Sequence, residues 1–496
     1  MSAAAGAFDF RARLVAVALG QTAVKLAPTL GAVVLVRLLS PADWASLALL
    51  LSIYLAAQEI GSLFLPQSVP FFLGHIDLQA RPKFLRQTSL LLGLSALLTA
   101  AIVYAITSQL SPRAYAGAAQ AALPLALALA FEIPALAFPQ VLIALERVRA
   151  GALWNGGFAL VQIVALLLPI VRAQGIVLAI WGLALSAALR FLAFVALAFP
   201  FLRNAPVEAK AGWRFDSRML REQIAYALPL GLSMATFSLN RQVDKWMVAW
   251  LEPDKLGTYA LAAVEFPFIA LLPLAAGSVL ATRMVWAFRQ GREGQAYAYW
   301  IASTARMSVL VPPLVAALLS VAGDLVVLLF GSTYTAASLP FQLYTLISLH
   351  RIAEYGALLR AAGDTRFLWF VSIGLLALNS LLTLPLLMLF GMAGAALAAL
   401  LANLGIWMVV LRRIAFLLDC SFRSVLPWRT YGLGVLGAFL CAAVAYVLVE
   451  FLLPLPSPGL RAAFKVAVVL VAYALFAKLL RLPSRLPRFP SDEREL

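Results

Sequence analysis

The sequence predicts an all-α polytopic membrane protein with about 14 transmembrane helices, arranged as two pseudo-symmetric six-helix bundles followed by two additional helices. Three observations predict this fold class. Hydrophobic residues make up 63% of the 496 residues and charged residues 12%. The apolar runs repeatedly exceed the roughly 18–20 residues that a helix needs to cross a bilayer. The third observation is that the two halves of the chain share landmarks. Because the runs do not alternate polar and apolar residues, membrane-spanning strands are excluded.

The internal repeat is visible in matching turns. Residues 39–43 (LSPAD) are echoed by residues 251–255 (LEPDK), and each segment ends one apolar helix and begins the next. Three further landmarks recur at one constant separation: Pro124 with Pro340, Pro169 with Pro385, and Gly175 with Gly391. Membrane proteins built from two such halves are usually transporters that hold their substrate at the midplane between the repeats. The repeat therefore predicts transport.

The hydrophobic runs place fourteen spans along the chain. We predict spans one to fourteen at 13–37, 44–72, 88–109, 118–143, 152–171, 175–200, 225–250, 258–280, 305–330, 340–360, 367–390, 392–411, 431–452 and 461–480. The predicted domains are an N-terminal bundle at 1–200, a cytoplasmic inter-bundle loop at 201–224, a C-terminal bundle at 225–413, and two additional helices with a cytoplasmic tail at 414–496.

The basic residues orient these spans. Of the 38 Lys and Arg residues, most fall in loops on one predicted side. The opposite side holds Arg37, Arg113, Arg172, Lys255 and Arg461. Positively charged loops remain in the cytoplasm, so we expect a multi-pass membrane protein with both termini cytoplasmic. The same loops explain the net charge of +16 without nucleic acid as a partner.

The loops also argue against an enzyme. The predicted outside connections are short, whereas a membrane-embedded polysaccharide polymerase or glycosyltransferase generally needs a sizeable outside loop for its catalytic residues. The chain has no P-loop, no paired-His metal spacing, and two histidines, His75 and His350. We therefore expect a transporter with no cofactor and no metal, and keep a polymerase or glycosyltransferase as the less favoured alternative.

Several short motifs resemble one family. Residues 244–262 (DKWMVAWLEPDKLGTYALA) resemble the oligosaccharide flippase, or polysaccharide transporter, family of the multidrug/oligosaccharidyl-lipid/polysaccharide flippase superfamily, with an acid before an outside turn and a Gly-x-Tyr entry to the next helix. Residues 328–334 (LLFGSTY), 38–44 (LLSPADW) and 59–61 (EIG) are similar to other segments of the family. Ala45 departs from the pattern, because glycine is common there.

The resemblance implies a flippase for polyprenyl-pyrophosphate-linked oligosaccharide, such as an O-antigen (lipopolysaccharide), exopolysaccharide or capsule repeat unit. The flippase would lie in the bacterial inner (cytoplasmic) membrane and work by alternating access. It implies two six-helix bundles around a central cavity. The partners would be this lipid-linked oligosaccharide, the bilayer, and a polysaccharide polymerase with other biosynthesis proteins. Related branches of the superfamily export drugs in exchange for cations, so a cation-coupled multidrug exporter is the main alternative. The fold alone cannot distinguish these branches, so the choice among them has to rest on the residues of the site.

Charged groups inside membrane helices are costly and therefore need an explanation. Lys25, Arg241 and Arg351 fall near the middle of spans one, seven and ten, and we expect them to bind the pyrophosphate. Lys25 has no acid nearby in its own span. For Arg241 and Arg351 a structural interpretation is also open, because Asp244 and Glu354 follow them at three residues and could neutralise them.

Four acids are candidates for coupling or charge balance. They are Glu59, Asp244, Glu132 and Glu265. A buried carboxylate could carry a proton or Na⁺ through the cycle; alternatively, these acids balance the cations when the cavity is empty. Arg190 on span six is expected to extend toward the cytoplasmic interface.

Prolines inside the spans are candidates for gating. Pro28, Pro229 and Pro267 lie on spans one, seven and eight, where a proline frees backbone carbonyls and permits bending. Static kinks are the alternative for each of them.

Overall fold

The computed structural model describes residues 31–111, 113–115, 117–203, 215–264, 267–453 and 455–482. The predicted span one lies mostly outside these residues, as do Lys25, Pro28 and Glu265. Helices account for the regular structure of the described residues, and no strand occurs among them. The fold class predicted from hydropathy is confirmed.

After a helical stretch at residues 31–38, eighteen further α-helices follow one another in the described residues. In chain order they are α1 Pro41–Gly61, α2 Leu65–His75, α3 Arg81–Ser108, α4 Ala122–Ala135, α5 Phe138–Ala144, α6 Val148–Val171, α7 Ile176–Arg203, α8 Ser217–Leu251, α9 Leu256–Ala262, α10 Pro267–Arg289, α11 Glu293–Ser320, α12 Ala322–Phe330, α13 Ser338–Ile347, α14 Tyr355–Ala361, α15 Thr365–Phe390, α16 Met392–Leu417, α17 Trp428–Val447 and α18 Pro458–Leu479. A π-helical turn, Leu448–Leu452, extends α17.

Ten helical segments of the described chain are long and apolar enough to cross a membrane. They correspond to spans two to six, nine, and eleven to fourteen of the prediction. Span seven is the continuous helix α8, which is 35 residues long but carries polar side chains such as Gln223 and Asn240. Span eight is divided between α9 and α10, and span ten between α13 and α14. The chain is thus a multi-pass membrane protein.

The predicted spans seven and ten differ from the observed helices in their limits. Helix α8 begins at Ser217 rather than at 225, because the side chain of Asp216 accepts a hydrogen bond from the backbone N–H of Met219 and caps the helix. The prediction of one unbroken helix at 340–360 is wrong. Residues 351–354 lie between α13 and α14 without helical structure.

The chain forms two compact units. In the first, Val34–Gly257, helices α1 to α8 pack together. The second contains residues 31–33 and the described residues from Thr258 onward, where α17 and α18 pack against α11. Helix α8 therefore belongs to the same unit as α1–α7 by its contacts. The predicted division into bundles at 1–200 and 225–413 stays a prediction.

Candidate functional site

The two predicted cations that the structure describes have different surroundings. Arg241 lies on α8 with an exposed side chain, and its carbonyl accepts a hydrogen bond from Lys245 Nζ at 2.9 Å. Asp244 is buried, and its carboxylate accepts the backbone N–H of Lys245 at 2.8 Å. Arg351 is half-buried in the interruption between α13 and α14. The role of each in substrate binding stays a prediction.

A polar network crosses the interior of the Val34–Gly257 unit. Glu132 on α4 is 3% exposed and forms an ion pair with Arg190 on α7. A second guanidinium nitrogen of Arg190 donates to Asn155 Oδ1 at 3.2 Å, and Gln58 Nε2 donates to Glu132 at 3.5 Å. The expectation that Arg190 extends to the interface is wrong, because its charge is matched inside the unit. Such a pair neutralises both charges where there is little water, although the buried Arg190 Nε has no hydrogen-bond acceptor among the described residues.

Glu59 lies one helical turn before the helix break, residues 62–64, that separates α1 from α2. Leu63 and Phe64 adopt positive φ values of 47° and 57°, which side-chain-bearing residues rarely do and which often marks a functional position. The freed carbonyl of Gly61 accepts a hydrogen bond from Ser95 Oγ at 2.6 Å. Glu59 is half-buried, and no cation among the described residues forms an ion pair with it.

The ring of Phe64 fits against a glycine of α8. A Cβ placed on Gly231 would lie 1.9 Å from Phe64 Cγ and 2.2 Å from Phe64 Cβ. Such separations are far below van der Waals contact, so glycine is required at this position. Pro229, a predicted gating residue, is two residues away within α8. The break between α1 and α2 is therefore in direct contact with the proline-containing part of α8.

The beginning of α8 is joined to α2 and α3 by polar side chains. Gln223 is fully buried, and its Nε2 donates to Ser68 Oγ and to Thr88 Oγ1, both at 3.0 Å. Asp216 pairs with Lys83 at 3.0 Å. The hydrogen bond from the Met219 backbone N–H, followed by that from Lys83, holds the pKa of Asp216 below its usual value. This end of α8 is fixed by directional bonds as well as by packing.

The other end of α8 is also bonded to the same unit. Trp246 Nε1 donates to Ser52 Oγ at 3.0 Å, and Tyr115 Oη donates to the carbonyl of Ala249 at 2.6 Å. Beyond the helix, Trp44 Nε1 donates to the carbonyl of Gly257 at 2.9 Å. The last bond joins residues that directly follow the two matching turns of the sequence repeat, 39–43 and 251–255. Helix α8 is thus held at both ends.

The interruption of span ten is stabilised by aromatic side chains. Tyr355 Oη donates to the carbonyl of His350 at 2.6 Å, and Tyr431 Oη donates to the carbonyl of Leu349 at 3.2 Å. Trp407 Nε1 in turn donates to Tyr355 Oη at 2.8 Å. Non-helical backbone at membrane depth needs such partners, and broken helices are typical of binding sites in transporters. Glu354 pairs with Arg360 at 3.4 Å, an ion pair that the sequence interpretation did not include.

A second buried ionic network lies in the unit from Thr258 onward. Lys465 on α18 is 2% exposed and donates to Asp324 at 2.8 Å and to Glu450 at 2.6 Å. Arg461 donates to the other oxygen of Asp324, also at 2.8 Å. The charges of the two carboxylates and the two cations cancel. They join the additional C-terminal helices to α12 of the repeat.

Two of the three prolines predicted to act in gating lie in the part of the chain that the structure describes. Pro229 lies inside α8, and Pro267 is the first residue of α10.

Among the described residues, no group of three His, Cys, Asp or Glu side chains is placed to hold a metal ion.

The family and fold comparisons agree with this architecture. A family model described as polysaccharide biosynthesis protein matches residues 12–264. At the level of whole sequences, no individually characterised protein matches.

Solved structures that share the fold include the following three. A lipid II flippase, MurJ, in its inward closed conformation has a TM-score of 0.65 at 14% identity, over 90% of this chain and 99% of that chain. An inward-facing multidrug resistance transporter of the MATE family and MOP superfamily has a TM-score of 0.56 at 13% identity, over 79% and 95%. A MOP superfamily transporter from Pyrococcus furiosus has a TM-score of 0.55 at 15% identity, over 82% and 96%. At these identities the similarity establishes the fold, which is that of transporters.

Proposed function

The chain belongs to the polysaccharide biosynthesis protein family, and from this premise we propose that it is a flippase for polyprenyl-pyrophosphate-linked oligosaccharide. The cargo would be an O-antigen, exopolysaccharide or capsule repeat unit. The observation that carries the proposal is the family match over residues 12–264, on a fold shared with a lipid II flippase and with multidrug transporters. A flippase moves its cargo without making or breaking covalent bonds, which agrees with a transporter fold and a non-enzymatic function.

The proposed location is the bacterial inner membrane, with both termini in the cytoplasm. The orientation rests on the excess of Lys and Arg in the loops of one side, and the choice of membrane follows from the proposed cargo. A polysaccharide polymerase and other biosynthesis proteins would act on the same cargo. Alternating access would expose a central site to each side in turn.

The pyrophosphate headgroup is proposed to meet cations of the membrane helices. Lys25, Arg241 and Arg351 are the candidates, because a fixed cation replaces part of the hydration that a pyrophosphate loses. Arg241 supports this role through its exposed side chain on α8. A cavity for cationic drugs would instead be expected to be acidic, which favours the lipid-linked cargo over the exporter alternative.

Coupling to H⁺ or Na⁺ is proposed to involve Glu59 more directly than Glu132. Glu132 is neutralised by Arg190, whereas Glu59 stands beside the break between α1 and α2. Asp244 and Glu265 remain candidates for coupling or charge balance.

Two charge-neutralising variants are expected to separate coupling from stability. Glu59→Gln should abolish proton uptake that accompanies transport and leave the thermal unfolding temperature close to that of wild type. Glu132→Gln should lower stability by roughly 1–3 kcal/mol, because Arg190 loses its charged partner. The measurement combines unfolding in detergent with a pH-sensitive dye in proteoliposomes supplied with a polyprenyl-pyrophosphate-linked sugar. Unchanged proton uptake in Glu59→Gln would remove Glu59 from the mechanism.

The substrate class is tested by native mass spectrometry of gently purified protein. Wild type is compared with Lys25→Ala/Arg241→Ala and with Arg218→Ala, a control on the same helix as Arg241 whose side chain is 90% exposed. We expect a co-purifying polyprenyl-pyrophosphate sugar in wild type and control, and its depletion in the double variant. Retention of the lipid in the double variant would refute the headgroup site but not the flippase. Absence of such a lipid from every sample that retains phospholipids would favour the drug exporter.

A further inference from the structure

A large crevice opens among helices α3, α5, α6 and α7 of the Val34–Gly257 unit. Its volume is about 790 Å³, within the range of roughly 300–1,000 Å³ that is usual for ligand sites. The crevice lies where α3 and α6 begin and where α5 and α7 end, so it occupies one side of the membrane. The basic loops place this side in the cytoplasm. It is separate from the buried pair of Glu132 and Arg190, which does not line it.

The walls of the crevice are apolar and aromatic. Trp154 on α6 is 8% exposed and packs against Phe138 and Phe158, with ring centroids 4.6 Å from each. Leu85 and Val141 continue the lining on α3 and α5. The indole N–H of Trp154 is buried and has no hydrogen-bond acceptor among the described residues. Walls with so few polar partners hold hydrocarbon better than ordered water.

Helix α6 gives the crevice access to the lipid phase. Only 6% of the hydrophobic window of this helix is buried inside the protein, so much of its surface is not covered by other helices. Leu153, in the lining, is 76% exposed, and Gly157, also in the lining, is exposed. A chain from a neighbouring lipid can therefore enter sideways without crossing a polar region.

A cation marks the end of the crevice near the membrane surface. Arg147, the residue before α6, lines it, and the exposed Arg149 follows within the first turn of the helix. Glu146 is also exposed, which leaves a net positive charge in this segment. Basic groups between membrane helices on the cytoplasmic side are suited to anionic lipid headgroups.

We propose that this crevice binds an anionic phospholipid, with its acyl chains against Trp154 and Phe138 and its phosphate beside Arg147. The lipid is a resident ligand and is separate from the transported cargo. The crevice is lined by helices of one unit, and its cation lies at headgroup level, whereas a transported headgroup has to reach the membrane midplane. Occupancy would brace α6, the helix least covered by protein, against α3 and α7.

Two adjacent glycines of α6 provide a matched pair of variants. A Cβ on Gly156 or on Gly157 would meet no atom within 4 Å, so leucine can be introduced at either position without a clash at its first atom. Gly157 lines the crevice and Gly156 does not. Both replacements remove a helix-interior glycine, and they therefore change helix propensity equally. The difference between them reports on the crevice.

To test the proposal, delipidated full-length protein in detergent is titrated with dioleoyl phosphatidylglycerol or with dioleoyl phosphatidylcholine. Native mass spectrometry measures the bound lipid, and thermal unfolding measures the stability. Wild type and Gly156→Leu should retain phosphatidylglycerol and gain stability from it. Gly157→Leu should bind about tenfold less, since the leucine occupies the space of an acyl chain. Arg147→Gln should weaken phosphatidylglycerol about fivefold, as expected for loss of one basic contact, and leave phosphatidylcholine unchanged.

Three outcomes would overturn the proposal. They are equal phosphatidylglycerol binding by Gly157→Leu and Gly156→Leu, equal affinity of wild type for the two phospholipids, and displacement of phosphatidylglycerol by polyprenyl phosphate, which would make the crevice a site for the cargo's tail. If Gly157→Leu fails to fold, Ala150→Phe fills the same crevice from its end near Arg147. This variant is expected to reduce lipid retention in the same way.

Discussion

Replacing Lys465 by methionine is expected to destabilise the protein by about 3–5 kcal/mol, the usual cost of breaking a buried ion pair by removing one partner. Lys465 is 2% exposed and donates to both Asp324 and Glu450. Its removal leaves Arg461 as the remaining ion-pair partner of Asp324 among the described residues. It leaves Glu450 without its charged partner. Thermal unfolding in detergent, with proteolysis of α17 and α18 as a second readout, measures the loss.

Lys478→Met is the matched control for this prediction. Lys478 lies on the same helix, α18, but is exposed, and its replacement should change stability by less than about 0.5 kcal/mol. The double variant Lys465→Met/Asp324→Asn should recover part of the loss, because the buried side chain of Asp324, which is 6% exposed, no longer carries a charge. If Lys465→Met were as stable as Lys478→Met, the network would have no structural role.

Replacing Gly231 by alanine should cost about 3 kcal/mol, the upper part of the range for overpacking a core. The added Cβ would lie 1.9 Å from Phe64 Cγ and 2.2 Å from Phe64 Cβ. Rotation of the Phe64 ring cannot relieve the second contact, so α8 or the break between α1 and α2 has to move. The loss should appear as a lower unfolding temperature.

The control for Gly231→Ala is Gly93→Ala on α3. A Cβ at Gly93 would meet no atom within 4 Å, so alanine should there stabilise the helix by up to about 1 kcal/mol. In a Phe64→Gly background, where the ring is absent and φ of 57° suits glycine, Gly231→Ala should become nearly neutral. An undiminished cost in that background would show that the contact with Phe64 is not its cause.

Hydropathy located most of the helices, because a bilayer requires continuous apolar runs whatever their tertiary packing. It could not locate the interruption between α13 and α14. The sequence around Arg351 contains no proline, and the break is stabilised by Tyr355 and Tyr431, the second of which lies 82 residues from Leu349, whose carbonyl it contacts. Bonds between distant residues leave no periodic signal. The break between α1 and α2 has only a weak signal in the sequence, namely Gly61 and Pro66, which flank it.

The candidate site was predicted unevenly for a related reason. Glu132 was identified as a costly buried acid, but its partner Arg190 lies on another helix, 58 residues away, and pairing of that kind depends on the fold. Lys465 carries a signal related to that of Lys25, because it is a cation inside the predicted span 461–480, and the insertion-cost argument could have identified it. Gln223 is an uncharged residue, and its burial could not be inferred from hydropathy alone.

Helix α8 has 35 residues and is therefore about 52 Å long, against a hydrocarbon core of about 30 Å. Its two ends consequently lie in different electrostatic conditions. The beginning is held partly by the half-exposed ion pair of Asp216 and Lys83, which dissolved salt screens. The far end is held by uncharged bonds from Trp246 and Tyr115, on which screening has little effect. Ionic strength on one side of the membrane thus acts on one attachment of this helix and leaves the other in place.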